Sequence, residues 1–186
     1  MKIAGGKFKG HTLATPVGRD TRPTSERVRQ AVFNILAHGR AGMAIDGARV
    51  LDLFAGTGAL GLEALSHGAR FCQFVDDDAA ARGTIRRNAD ALGVTGVCKI
   101  WRRDATRLGP NTPQPPFDLV FIDPPYGKGL GQAALISLVD GGWLAPGAVA
   151  VLEESARATV ALPERLEVED ERVYGDTKVT FLRFRG

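Results

Sequence analysis

The sequence predicts a doubly wound α/β fold, a mostly parallel seven-stranded sheet that ends in an antiparallel β-hairpin. Three observations carry this. From residue 48 onward, short apolar runs alternate with helix-like segments, the pattern of right-handed strand–helix–strand crossovers. A glycine-rich turn joins the first run to the first of those helices. The last two strand-like runs are separated only by Gly175-Asp176-Thr177, too short for a crossover but right for a hairpin.

In chain order, residues 1–22 are basic and punctuated by glycine, with Phe8 and Leu13 the main apolar residues, and read as a short hairpin or an ordered arm. Thr24 or Ser25 then caps a helix, with Glu26 in its first turn and Val28, Ala31, Val32, Ile35 and Leu36 at amphipathic spacing. Strands are expected at 49–54, 70–75, 97–102, 117–122 and 148–153, and helices at 60–67, 79–92 and 130–140. The hairpin strands are 166–174 and 178–184. The Pro-rich stretch 110–116 reads as a loop before a strand. Two regions are expected: 1–40, a basic arm plus helix, and 41–186, the α/β domain.

At 186 residues the chain fits one domain with a small appendage. No apolar run is long enough to span a membrane, and the N-terminus lacks the apolar stretch of a signal peptide, so a cytoplasmic protein without membrane association is expected. Cys72 and Cys98 lie in apolar runs without metal-ligand spacing and read as free, buried thiols. No metal is expected. A monomer is expected, because no long exposed apolar segment demands a partner. The net charge of +3 is unevenly spread: residues 1–40 hold eight basic residues against Asp20 and Glu26, which leaves the remainder net acidic. A basic end on an acidic body points to a polyanionic partner reached through the N-terminus.

The chemistry gathers at strand ends. The run 119–122 passes directly into Asp123-Pro124-Pro125-Tyr126. The acid accepts hydrogen bonds from an amine, the prolines offer only carbonyl acceptors, and the tyrosine offers a flat face. Together they suit a planar group bearing an exocyclic amine, such as a nucleobase; a plain Pro-Pro turn is the alternative. In the first strand and turn, Gly56, Gly58 and Gly61 satisfy G-x-G-x-x-G, which serves any nucleotide-like ligand approached by backbone. Asp52 ahead of them would repel a pyrophosphate and attract a cation, favouring S-adenosylmethionine over a nicotinamide dinucleotide. Asp76, followed by Asp77 and Asp78, sits where ribose hydroxyls are gripped, with Asp78 a candidate helix cap. Asp104, next to Ala105, can accept from an adenine amine. Four acids on the carboxyl edge of one sheet mark the place where ligands bind in open α/β folds.

With these residues in view, the sequence resembles the class I, Rossmann-like methyltransferases. Within them it is similar to the bacterial 16S rRNA guanine-N2 methyltransferases called RsmD. The likeness rests on Ile3-Ala4-Gly5-Gly6 with Gly10, on Thr21-Arg22-Pro23-Thr24 with Arg27-Val28-Arg29 and Phe33-Asn34, on Leu51 to Gly58, and on Asp123 to Tyr126. It covers nearly the whole chain. It implies methyl transfer from S-adenosylmethionine to a guanine 2-amino group in a small-subunit assembly intermediate. It places Asp52, Gly56 and Gly58 at the methionine part of the cofactor, Asp76 at the ribose and Asp104 at the adenine, with Ala55, Asp77 and Ala105 also in the cofactor site, and Asp123, Pro124, Pro125 and Tyr126 at the target base. Lys7, Lys9, Arg22, Thr24, Arg27 and Arg29 would meet the RNA. The family often has Glu at the ribose position; Asp76 is shorter and needs a closer ribose or a bridging water.

Rival readings remain at this point. Another amino methyltransferase, acting on DNA adenine or a protein glutamine amide, would use the same clamp. The chain has no room for a DNA-recognition domain, and a basic arm suits a small protein substrate poorly. An NAD-dependent oxidoreductase would use the glycines but not Asp52. A non-catalytic RNA-binding assembly factor would not need an intact clamp. His11, His38 and His67 are scattered along the chain and read as non-catalytic, with His11 a possible phosphate contact.

Overall fold

The computed structural model describes residues 1–16, 25–39 and 41–186. Its elements are α1 (Glu26–His38), β1 (Arg49–Leu53), α2 (Ala59–Ser66), β2 (Phe71–Val75), α3 (Ala79–Leu92), β3 (Cys98–Trp101), β4 (Phe117–Ile122), α4 (Leu130–Asp140), β5 (Leu144–Ser155), β6 (Leu166–Tyr174) and β7 (Thr177–Phe184). The strands form one sheet in the order β3-β2-β1-β4-β5-β7-β6. The first five pair in parallel, and β7 pairs antiparallel with both β5 and β6. The expected seven-stranded sheet and its terminal hairpin are therefore both present. Strand order reverses between β1 and β4, and the crevice beyond their carboxyl ends is where such sheets bind ligands.

Alternate strand residues feed two cores. Val50, Leu119, Phe121, Val149 and Val151 face α1, α2 and α3. Leu51, Val120, Ile122, Ala150 and Leu152 face α4. Period-two burial on both faces explains why these strands read as unbroken apolar runs. One core also runs across the 40/41 boundary. Ile3 and Leu13 of the arm and Val32, Phe33 and Leu36 of α1 pack in the same cluster as Val50 and Leu62.

Two local outcomes differ from expectation. β5 begins at Leu144, not 148, because Leu144 pairs with Phe117 and a register shift before Leu119 absorbs Pro146-Gly147. In α1, Ser25 is the cap, its Oγ accepting from Val28 N, but the buried stripe is Arg29, Val32, Phe33 and Leu36. Arg29 belongs to that stripe because Glu63 on α2 meets it there.

Glu63 is fully buried and collects four partners. Oε1 accepts from Ala4 N (2.8 Å) and Arg29 Nε (2.9 Å). Oε2 accepts from Gly5 N (3.0 Å) and lies 3.2 Å from His67 Nε2. Arg29 Nη2 also donates to the Lys2 carbonyl. Ser66 continues the clasp: its Oγ accepts from Phe8 N and donates to Gly5 O, and its carbonyl accepts from Lys7 N. Gly6 sits so close that a Cβ would lie 2.1 Å from the Ser66 oxygen, at φ +77°. Further along, Asn88 of α3 brackets Ala14, accepting from its N–H and donating to its carbonyl. The expected hairpin or arm is thus a looped segment, bridged at Lys2 and Thr12 and clamped across α2 and α3.

Removing Glu63 leaves a guanidinium buried without its counter-ion, which costs about 3–5 kcal/mol. Glu63→Ala should therefore lower the unfolding free energy, read by urea titration, by that amount. A loss under about 1 kcal/mol, the range of an exposed pair, would contradict the clasp.

Candidate active site

The parallel register aligns the strand ends. Leu53, Val75, Trp101, Ile122 and Leu152 stand in one row across β1, β2, β3, β4 and β5. The residues that follow form the rim of the crevice, among them Asp76 after β2 and Asp123 after β4. Asp104 lies three residues beyond β3, on the surface. Asp52 departs from the expected placement: it lies within β1, 1% exposed, and not at the strand's end.

That position gives Asp52 a second role. Its Oδ2 accepts from Gly61 N at 3.0 Å, tying β1 to the first turn of α2. A Cβ on Gly61 would fall 2.5 Å from Phe74 and 2.6 Å from Cys72 Sγ, so the helix can approach the sheet only as glycine. Burial pushes the Asp52 carboxyl well above the usual carboxylate range, the Gly61 N–H pulls it back, and the charges of Asp123 and Asp76 push it further up.

Asp76 performs a parallel task. Its Oδ2 accepts from Gly56 N and its Oδ1 from Asp78 N, both at 2.9 Å, and its pKa is raised chiefly by burial. Gly58 N donates to the Ala55 carbonyl at 2.8 Å, and Ala55 N to Val75 O. The N–H groups of Gly56, Gly58 and Gly61, which would cradle a pyrophosphate, are therefore already spent, two of them on carboxylates. Phe54, entering this loop, takes the left-handed conformation (φ 55°), a strained state for a bulky residue and one that concentrates at functional loops. An all-acid lining with its amides occupied fits a phosphate-free cation and disfavours a dinucleotide.

The other acids divide. Asp77 is exposed at the rim, and Asp78 caps α3 through Ala81 N at 2.8 Å, as expected. Asp104 accepts from Thr106 Oγ1 (2.7 Å) and Thr106 N (2.8 Å), bonds that hold its carboxyl below the usual range. Ala105 beside it is buried.

The segment after β4 is braced from two sides. Pro124 is buried and Pro125 exposed. Tyr126 is half-buried, and its hydroxyl lies 3.0 Å from Thr177 Oγ1 at the start of β7. Gly127 N donates to Glu154 Oε1 at 3.1 Å. Thr177 and Glu154 were not foreseen as site residues. Glu153-Glu154 closing an apolar strand was the available signal; the Thr177 contact spans 51 positions and leaves no local trace. The terminal hairpin therefore helps aim the tyrosine.

Among the expected RNA contacts, Lys7, Lys9 and Arg27 are exposed, and Arg22 and Thr24 lie outside the described residues. Arg29 is a correction: it is fully buried against Glu63 and cannot reach a partner. His11 and His67 hold structural places, His11 against the Phe8 carbonyl and His67 between Glu63 and the Phe33 ring. Cys72 is buried, whereas Cys98 is only partly so. Among the described residues no group of His, Cys, Asp and Glu is placed to hold a metal, and no helix is long and apolar enough to cross a membrane.

Comparison with known proteins follows the same lines. A family model described as "Conserved hypothetical protein 95" matches residues 1–183. The chain is 36% identical to the Bacillus subtilis protein YlbH over 191 residues, covering all of both chains. It is 34% identical over 176 residues to the Escherichia coli protein named ribosomal RNA small subunit methyltransferase D, covering 94% of this chain and 85% of that one. The solved structure of Escherichia coli yhhF superposes with a TM-score of 0.83 at 33% identity, covering 100% of this chain and 98% of the other.

Replacing Asp52 by Asn keeps an acceptor for Gly61 but removes a buried charge. Because the folded-state pKa is raised, the wild-type protein should lose stability as pH rises from the normal carboxylate pKa through that raised value. Melting temperature against pH should show the Asn variant gaining on the wild type over that window, with no ligand present. Parallel curves would show that Asp52 carries no such penalty.

Proposed function

The chain belongs to the family this model defines, the RsmD methyltransferases of small-subunit ribosomal RNA, and from that membership we propose that it methylates the exocyclic 2-amino group of a guanine in 16S rRNA during small-subunit assembly, with S-adenosylmethionine as donor. The observation that carries this is the adjacency, across neighbouring β1 and β4, of an acid-lined glycine loop with spent amides and the braced Asp123–Tyr126 segment.

When bound, adenosylmethionine supplies an electrophilic methyl group on a sulfonium. Asp52 with Ala55, Gly56 and Gly58 borders its methionine end, Asp76 and Asp77 its ribose, and Asp104 and Ala105 its adenine. A guanine in helical RNA is stacked and paired, so it must be extruded, at a cost of about a few kcal/mol. Stacking on Tyr126 returns about 1–3 kcal/mol of that. Asp123 and the Pro124 carbonyl accept the two amine protons and aim the nitrogen lone pair, while the Asp123 charge favours the positive charge that grows on the nitrogen. Proton loss follows transfer, so no base is needed to start the reaction. Pro125 keeps the turn rigid and donor-free. Lys7, Lys9 and Arg27, with Arg22 and Thr24, meet the RNA backbone. The protein works in the cytoplasm as a monomer.

Asp123→Ala should lower kcat by about a hundredfold or more, the scale on which one aligned electrostatic group is lost. Adenosylmethionine binding by calorimetry should stay measurable. Retention of activity within about tenfold would rule out the clamp. Tight binding of NAD in the same titration, with none of adenosylmethionine, would favour a dehydrogenase.

A further inference from the structure

The N-terminal arm is not the only basic surface. Residues 79–107, which comprise α3, β3 and the start of the following loop, hold seven basic residues against Asp90 and Asp104. Arg86, Arg87, Lys99, Arg102 and Arg107 are exposed. They flank β3, the edge strand of the sheet, and none of them is ion-paired with another described residue.

The opposite edge shows that this is not a general habit of the protein. On the β6–β7 hairpin Arg172 pairs with Asp170, Arg183 with Glu169, and Arg185 with Glu167. The two edges of one sheet thus differ: on one, cations are held in ion pairs with neighbouring carboxylates; on the other, Arg86, Arg87, Lys99 and Arg102 stand exposed outside any ion pair among the described residues, while Arg107 acts electrostatically on Asp104.

Geometry joins the unmatched edge to the arm. Asn88, next to Arg87 on α3, holds Ala14 of the arm on both its N–H and its carbonyl and also donates to Thr57 O in the glycine loop at 2.9 Å. Arg86 lines a shallow groove with Asp90, Cys98 and Ile100 on the arm side of the sheet, and Arg87, Lys99 and Arg102 lie outside that groove. Lys99 and Trp101 alternate to the other side, so the positive charge wraps the edge.

We propose that the α3–β3 edge is a second RNA-binding surface, continuous with the arm, which holds the phosphate backbone of rRNA flanking the target nucleotide. The inference rests on the rRNA-methylating reading and extends it. An enzyme that extrudes one base must grip the strand on either side of it, and an arm beside α2 alone supplies one side. Lysines on an exposed edge strand also deter strand pairing, but that role needs no arginines on the neighbouring helix.

The test is a triple variant, Arg86→Gln, Arg87→Gln and Lys99→Gln, beside a control that neutralises Arg172 and Arg185 on the far edge. Both are assayed for methylation of deproteinised 16S rRNA and of isolated small subunits, and for rRNA binding across a salt series. The expected result is a KM for rRNA raised about tenfold, kcat at saturation unchanged, and a log–log salt slope smaller by about 2, since each phosphate contact contributes a little under one. Adenosylmethionine affinity and melting temperature should match the wild type, and the control should behave as wild type. An unchanged KM and salt slope in the triple variant would overturn the surface while leaving the activity standing. A defect on protein-containing subunits but not on bare rRNA would also overturn it, in favour of a protein contact. Failure of the wild type to methylate or bind rRNA would sink the underlying reading instead.

Discussion

A carboxylate buried in the middle of a parallel sheet is the constraint around which this molecule is arranged. Asp52 lies within β1, away from water, and is tolerated because Gly61 N–H reaches it. That bond pulls α2 down onto β1 and β2, which requires glycine at 61 and bends the intervening loop tightly. Asp76 repeats the device from β2 by holding Gly56 N–H. A glycine loop that elsewhere presents free amides to phosphate is here closed by acids. The local field is negative: burial raises the pKa of Asp52 and of Asp76, and the charges of Asp123 and Asp76 push that of Asp52 further up. A cation placed among them would relieve that repulsion.

Glu63, two positions after Gly61, solves a second problem on the same helix. It draws in the backbone of Ala4 and Gly5 and the guanidinium of Arg29, and so makes the arm a built part of the catalytic domain. Asn88 then links the arm to Thr57 of the glycine loop. The surface that meets the proposed RNA and the loop that meets the proposed cofactor therefore share supports. A substitution at Glu63 or Asn88 would be felt at both.

Most of the architecture was legible in the sequence because it is local. Apolar runs buried on both faces marked the strands, Asp78 and the Thr24-Ser25 pair marked helix starts, and the short stretch Gly175-Asp176-Thr177 marked the hairpin, whose strand β7 takes up Thr177. The acids at the rim and the Asp123–Tyr126 segment were legible for the same reason. What escaped depends on partners distant in the chain. Helical periodicity counts an arginine as polar, so Arg29 read as an outward RNA contact; only the position of Glu63, 34 residues away, turns it inward. Thr177 and Glu154 brace the clamp through contacts that no spacing rule anticipates. The early start of β5 was hidden by Pro146-Gly147, which a register shift accommodates. Asp52 was found, but as a residue ahead of the glycines at the ligand; its buried bond to Gly61 is a packing fact.

The central claim is that Asp52 carries a raised pKa until a cation arrives. Calorimetry of adenosylmethionine binding at a series of pH values from the ordinary carboxylate range upward, run in buffers of different ionisation enthalpy, counts the protons exchanged. The account predicts net proton release by the wild-type protein, reduced in a variant with Asn at position 52. Identical proton counts in the two proteins would contradict it.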